Sequence, residues 1–193
     1  MLIRSATCLF LLLSFCFAGH GNADEKASEQ IESLPVGEKA INFELPIIGQ
    51  DDYIELQDEY KQGPVVVIVL RGFPGAQCPL CKQQVSALVN RARALEDKVH
   101  KVILVYPGET EDLMRRAKQF VGSRRIPAPL VIVADPGMRM VKSWGLRWDK
   151  PHETAYPATY LIKANGRVAW RKISDSHAGR TSVEEILGEL KKL

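Results

Sequence analysis

Apolar residues run without a break from Val65 to Leu70 (VVVIVL), the most β-branched run of the chain. Such a run fits a central strand covered on both faces. Before it, Ile41 to Ile47 (INFELPI) alternates apolar and polar, the period of a half-buried strand, and Tyr53 to Leu56 returns after a GQDD turn as its hairpin partner. After it, Cys81, Val85, Leu88, Ala92 and Leu95 recur at three- and four-residue spacing, which predicts one buried helical stripe starting near Cys78. Lys101 to Pro107 (KVILVYP) reads as the next strand. Thr110 is placed to cap a helix reaching about Val121, with Leu113, Ala117 and Phe120 or Val121 inward.

Ala128 to Asp135 (APLVIVAD) is a further strand, followed by a short helix that Gly145 ends. ATYLIKANGRVAWRKI, from Ala158 to Ile173, reads as strand, turn at Asn165-Gly166, strand. Ser182 and Glu185 have capping-box spacing and open a last helix with Ile186, Leu187, Leu190 and Leu193 inward. The order predicts an α/β fold: an N-terminal β-hairpin, parallel crossovers, an antiparallel hairpin and a closing helix.

The first residues change the picture of the cysteines. MLIRSATCLFLLLSFCFAGHGNADEK carries a basic Arg4, then an apolar run from about Cys8 to Ala18, then small and polar residues. That run is shorter than the roughly 20 residues of a membrane span, and Gly21-Asn22-Ala23 suits cleavage after Ala23. Residues 1–23 are therefore read as a secretory signal and 24–38 as a polar linker, with a single domain over 39–193. The expected location is periplasmic or secreted, with membrane attachment only if the signal stays uncleaved. Cys8 and Cys16 leave with the signal, so the mature chain keeps Cys78 and Cys81. A structural role for that pair is weak, because so small a loop contributes roughly 2 kcal/mol in the chain-entropy picture.

Composition excludes other classes. With 46% hydrophobic and 25% charged residues the chain is neither disordered nor fibrous. The net charge of +3 and the lack of a Lys/Arg block argue against a nucleic-acid surface; the basic stretch from Met114 to Arg125 reads as a solvated helix face.

In RGFPGAQCPLCKQQV (Arg71 to Val85) the two cysteines stand just beyond the end of the apolar strand, where ligands and chemistry gather in open α/β sheets. The first turn of the following helix offers free N–H groups and the positive end of the dipole, which stabilise a thiolate and lower its pKa. Cys78 is the expected nucleophile. Pro79 suits the first helical position, where its missing N–H costs nothing. Cys81, one turn deeper, is the expected resolving thiol. Arg71, close to the turn, is a candidate for lowering the Cys78 pKa.

From about Gly37 onward the chain resembles the thioredoxin superfamily, in particular its redoxin branch with peroxiredoxins of the alkyl-hydroperoxide-reductase/thiol-specific-antioxidant type. INFELPIIGQDDYIEL, the strand with its RG…CPLC turn, and YPATYLIKANGRVAW carry the resemblance. It implies a thioredoxin-like fold with an N-terminal hairpin extension. It also implies that Pro157 is cis and shapes a docking site, with the Tyr156 backbone pairing with a substrate chain.

The departures matter as much. Peroxiredoxins of this type carry a proline seven residues and a Thr or Ser three residues before the reactive cysteine; here Arg71 and Gly75 stand there, and Pro74 lies at four. They also carry an arginine where this chain has Pro157. Thioredoxins carry a tryptophan before the first cysteine and a buried acid on the preceding strand; here Gln77 stands before Cys78, and no acid occurs from Val65 to Leu80. Glu109 and His152 are the distant candidates for a base assisting Cys81.

These features rank thiol–disulfide oxidoreductase first and thiol peroxidase with an antioxidant role second. Metal delivery by two thiolates with His152 or His177 ranks third. No organic cofactor and no resident metal is expected, since the sulfurs carry the electrons. The partners expected are a dithiol or disulfide protein, an electron carrier that resets the pair, and, on the second reading, a hydroperoxide. Trp144, Trp148 and Trp170 are expected to pack rather than form a groove.

Overall fold

The computed structural model describes residues 32–193; the signal assigned to 1–23 and the first part of the linker lie outside the described residues. A two-stranded antiparallel hairpin comes first, β1 (Glu44–Pro46) with β2 (Tyr53–Glu55), in the register Leu45 opposite Ile54. Five strands form the main sheet: β3 (Val65–Val69), β4 (Lys101–Gly108), β5 (Leu130–Pro136), β6 (Ala158–Ile162) and β7 (Val168–Ile173). Their order is β5-β4-β3-β6-β7. The pairs β3–β4 and β4–β5 are parallel, whereas β6 runs antiparallel to both β3 and β7.

The helices are α1 (Leu56–Gln62), α2 (Pro79–Asn90), α3 (Ala92–Glu96), α4 (Leu113–Val121), α5 (Arg139–Ser143) and α6 (Val183–Leu190). The β-branched strand occupies the centre, as its composition requires. Val65, Val67 and Val69 join one apolar core, with Leu56, Tyr60, Val141, Trp144 and Tyr160. Val66 and Ile68 join the other, with Val85, Leu88, Phe120 and Ile186. Cys78 and Cys81 belong to this second core. Strand alternation thus feeds both faces of one sheet, and the cysteines end up against the face covered by α2, α4 and α6.

Several expectations need correction. The linker does not run free to residue 38. Leu34 is buried and donates its N–H to Trp144 O, Gly37 donates to Val168 O at 2.8 Å, and the Arg171 guanidinium donates to the Ser33 hydroxyl oxygen at 2.9 Å. The apolar Leu34 anchors the segment against the sheet. The helix after the cysteines breaks at Arg91 (φ −115°, ψ 13°), which divides the predicted stripe between α2 and α3. Helix α1 follows β2 at once, its Leu56 and Tyr60 buried one turn apart. Asp112 rather than Thr110 precedes α4; the Thr110 hydroxyl bonds the Asp112 carboxylate, and the Thr110 carbonyl takes the Leu113 N–H. Leu193 is 46% exposed, because α6 ends at Leu190 and the periodicity has nothing to extend.

Other readings hold. Trp144 is fully buried, edge-on to Tyr160, with its indole N–H on Ile41 O at 3.0 Å. The capping box at Ser182 and Glu185 is formed in both directions. Ser182→Ala is expected to cost about 1 kcal/mol, read by chemical denaturation.

The turn that leaves β3 is fixed by Gly72. Its φ is +73°, and a Cβ there would run into the carbonyl and ring of Pro107, the same carbonyl that accepts the Phe73 N–H at 2.9 Å. Gly72→Ala is expected to destabilise by about 2–4 kcal/mol in urea denaturation, since both φ and space oppose it. A loss under about 0.5 kcal/mol would mean the turn can move aside, and the cysteines with it.

Candidate functional site

Cys78 is the N-cap of α2, with extended backbone (φ −84°, ψ 113°), and Pro79 occupies the first helical turn. The Cys78 sulfur accepts the Cys81 N–H at 3.2 Å, so the sulfur itself satisfies one of the helix's free donors. Cys78 is 3% exposed and Cys81 not at all, and both are free thiols. The Cys78 pKa is drawn down to about 5. The largest cause is the hydrogen bond from the Cys81 side chain; burial opposes it, and the Cys81 N–H and the charges of Arg180 and then Arg71 assist. Cys81 moves upward, because its thiol proton serves the Cys78 sulfur and burial disfavours a second charge. The pair therefore holds one proton, kept on Cys81. Both cysteines stand at the strand–helix junction where the sequence places them.

The cation on the sulfur was not foreseen. Arg180, 102 residues along the chain from Cys78, brings Nη2 to 3.7 Å from the Cys78 sulfur. It also donates Nη1 to Gln84 Oε1 and Nε to His177 O, both at 3.0 Å. No periodicity or local motif marks this residue; it lies in an irregular segment between β7 and α6, and only the fold brings it to the cysteines.

Arg71, the cation expected there, turns to Glu153 instead. Its Nε lies 2.6 Å from one Glu153 oxygen, and its Nη2 2.8 Å from His152 O. The other Glu153 oxygen takes the His177 ring at 2.8 Å. Burial raises the Glu153 pKa, but the hydrogen bonds from Arg71 and His177 and their charges outweigh it and leave the net shift downward. Arg71 thus adds to the positive field at Cys78 behind Arg180, with most of its charge spent on Glu153.

Gln77 locks the turn from the other side, accepting the Tyr106 hydroxyl at 2.8 Å and donating to Arg116 O at 2.9 Å. Burial and the negative charge of the cysteine pair push the Tyr106 hydroxyl pKa up, so the phenol stays neutral beside the sulfurs.

The expected docking role of Tyr156 and Pro157 changes. Among the described residues the cis peptide bond joins Ala128 to Pro129, and the bond before Pro157 is trans. The Tyr156 N–H is spent on Leu146 O at 2.9 Å, and Pro157 O accepts the Ser174 N–H at 2.8 Å. This internal pairing takes the backbone donor that an added substrate strand would need. The Tyr156 ring stacks on Trp148 with centroids 4.8 Å apart, and His177 meets the same indole edge-on at 5.2 Å.

Neither distant base reaches this cluster. Glu109 faces Lys142 and Arg147 at the surface, and His152 takes a left-handed backbone (φ 61°) that offers its carbonyl to Arg71. Among the described residues no three metal-ligating side chains gather, and the His177 ring is held by Glu153. Beside Arg180 a groove of about 510 Å³ opens between α2 and the start of α6, lined by Leu80, Gln83, Gln84, Ala87 and Val183 among others.

Residues 36–171 match the AhpC/TSA family. The chain belongs to this family. With the family comes its class of activity, oxidoreductase chemistry at a thiol. Among solved structures the chain is similar to Mycobacterium tuberculosis AhpC, at 14% identity and TM-score 0.65 over 83% of this chain and 93% of that one. A peroxiredoxin-like protein from Aquifex aeolicus gives 17% identity and TM-score 0.64 over 83% and 88%. The mitochondrial 2-Cys peroxiredoxin of Plasmodium falciparum gives 18% and 0.64 over 82% and 93%. At these identities the likeness concerns the fold: a redoxin fold of the thioredoxin superfamily with its N-terminal hairpin. No curated protein matches the chain.

Proposed function

We propose that this AhpC/TSA protein is a dithiol peroxidase: Cys78 reduces a small hydroperoxide, Cys81 resolves the product, and a dithiol protein resets the pair. The observation that carries the reading is the Cys78 sulfur itself, an N-cap thiolate 3.2 Å from the Cys81 N–H and only 3% exposed. A buried thiolate is open to a small oxidant more readily than to the disulfide of a folded protein. The spent Tyr156 N–H further weakens the docking role on which disulfide exchange ranked first. The order of the two readings is therefore reversed.

In the reaction the Cys78 thiolate attacks the terminal oxygen of ROOH. An S–O bond forms, the O–O bond breaks, and RO⁻ leaves as ROH after taking a proton. Cys78 becomes a sulfenic acid, the peroxide having taken two electrons. The Cys81 thiol then displaces water, leaving a Cys78–Cys81 disulfide. An external dithiol reduces it by thiol–disulfide exchange and is itself oxidised to a disulfide. Exchange thus survives as the second half of the cycle. The residue pattern of 1–23 supports an exported, periplasmic or secreted setting, where the reducing partner must also work.

The test is a stoichiometric one. One equivalent of hydrogen peroxide is added to reduced protein, free thiols are counted, and peptides are mapped by mass. The expected outcome is loss of both thiols and a linked Cys78–Cys81 peptide. Unchanged thiols after exposure long enough to oxidise a free cysteine would sink the peroxidase reading and return protein disulfides to first place.

A further inference from the structure

The cycle closes only when an external dithiol reduces the Cys78–Cys81 disulfide, yet neither sulfur lies open. Cys78 is 3% exposed and Cys81 not at all. A broad protein face cannot bring its own sulfur to that depth; an extended segment laid in a groove can. The groove of about 510 Å³ between α2 and the start of α6 begins at Leu80, between the two cysteines.

We propose that this groove is the docking site of the reducing partner, a dithiol protein that presents an extended apolar segment with an acidic residue beside its attacking cysteine. The proposal deepens the reading above and rests on it. Leu80, 36% exposed, joins Ala87, Leu88 and Val183 in an apolar lining. Gln83 and Gln84 add amides that can meet a segment's backbone. From Leu80 to Arg91 the α2 wall runs about 16 Å, the length of about five extended residues.

The charge of the groove depends on the state of the cysteines. Its charged lining residues are Arg91, Arg180 and Glu184. Arg91 and Glu184 pair at 2.7 Å and cancel. Arg180 stands at the cysteine end, 3.7 Å from the Cys78 sulfur, and its other side-chain partners are neutral, the Gln84 amide and the His177 carbonyl. In the reduced protein the Cys78 thiolate balances this cation. Once the disulfide forms, that negative charge is gone and the arginine is left uncompensated. The groove is thus positive in the state that needs reducing. It draws in an acidic segment and an incoming thiolate, and loses its pull when the Cys78 thiolate returns.

The chemistry balances as follows. The partner's thiolate bonds to the Cys78 sulfur, the Cys78–Cys81 bond breaks, and Cys81 takes a proton. The partner's second thiol then displaces Cys78 as its thiolate. The partner has given up two electrons and becomes the disulfide.

The experiment uses the mature chain oxidised with diamide, so docking is read whether or not peroxide is a substrate. The probes are a pentapeptide with a central cysteine, a leucine on each side and an aspartate at each end, its counterpart with lysine at each end, and dithiothreitol. Rates are corrected for the thiolate fraction of each probe, and the mixed disulfide is mapped by mass. In about 20 mM salt the aspartate peptide is expected to react about tenfold faster than the lysine peptide, and in about 0.5 M salt the difference is expected to fall below about twofold. Ala87→Glu puts a like charge in the groove and is expected to slow the aspartate peptide about tenfold. Ala87→Trp fills the groove and is expected to lower the ratio of either peptide's rate to the dithiothreitol rate at least about tenfold. Ala87 is exposed on α2, so the fold tolerates both changes. Ala164→Glu is the control, in the exposed turn after Ile162, which pairs with Val65 at the other end of the sheet; it is expected to match wild type. Equal rates for the two peptides at low salt would overturn the proposal, as would a wild-type ratio in Ala87→Trp. A dimer in sedimentation that Ala87→Trp converts to a monomer would assign the groove to a second copy of the chain and overturn it too. If peroxide leaves the thiols untouched while the aspartate peptide keeps its advantage, the peroxidase reading fails and the docking groove stands.

Discussion

Cys81→Ser is expected to leave the first oxidation of Cys78 intact and to remove repeated turnover. Cys81 is fully buried one helical turn from Cys78, and the two are the free thiols among the described residues. With serine in its place no other thiol among the described residues can displace water from a Cys78 sulfenic acid. The acid then waits for an external thiol at a sulfur that is 3% exposed. Dithiol-dependent peroxide consumption should fall by at least about a hundredfold. A sulfenic-acid trapping reagent should label Cys78 in stoichiometric yield, and excess peroxide should drive it to the sulfinic acid. Turnover close to wild type would show that resolution passes to another thiol. The role of Cys81 as resolver would then be wrong.

The second large effect concerns the potential of the couple. Stabilising the Cys78 thiolate stabilises the reduced protein, which makes the disulfide easier to reduce. Two dithiol proteins of the same motif spacing have nucleophile pKa values of about 7 and about 3.5 and potentials of about −270 and about −120 mV. With Cys78 lowered to about 5, this chain is expected between those two potentials, measured by equilibration with glutathione at pH 7. A value of about −270 mV or below, the potential of the weaker thiolate, would mean that the thiolate is not stabilised. The folded pKa lies below the ordinary 9.0, so the thiolate's contribution is present above that value and is lost as pH falls through about 5. Denaturation of reduced wild type and Cys78→Ser from pH 9 to pH 4 should show the difference shrinking across that window.

What could be read from the chain, and what could not, divides along range of interaction. The strand Val65–Val69, the stripe of Cys81, Val85 and Leu88, and the Ser182–Glu185 box depend on neighbours within a few residues, and all stand as expected. Cys78 and Pro79 sit at the helix start because the same local rules decide it. The charge environment depends on chain crossings that no periodicity encodes. Arg180 reaches Cys78 across 102 residues, and Arg71 is claimed by Glu153 across 82. The cis bond expected at Pro157 follows from likeness of motif, whereas the bond is trans, with Tyr156 paired to Leu146 and Pro157 to Ser174. Leu34 shows the same limit in reverse, a lone apolar residue in a polar stretch that the sheet nonetheless captures.

The most direct measurement is the stopped-flow rate of reduced protein with hydrogen peroxide from pH 4 to pH 8, followed by tryptophan fluorescence. Trp148 stacks on Tyr156 and meets His177 edge-on, and the His177 carbonyl accepts from the Arg180 that contacts the Cys78 sulfur, so the indole is the chosen reporter. The rate is expected to rise through about pH 5, to level off by about pH 6, and to exceed that of a free cysteine at equal thiolate by orders of magnitude. A rate per thiolate equal to that of a free cysteine, at every pH, would contradict it.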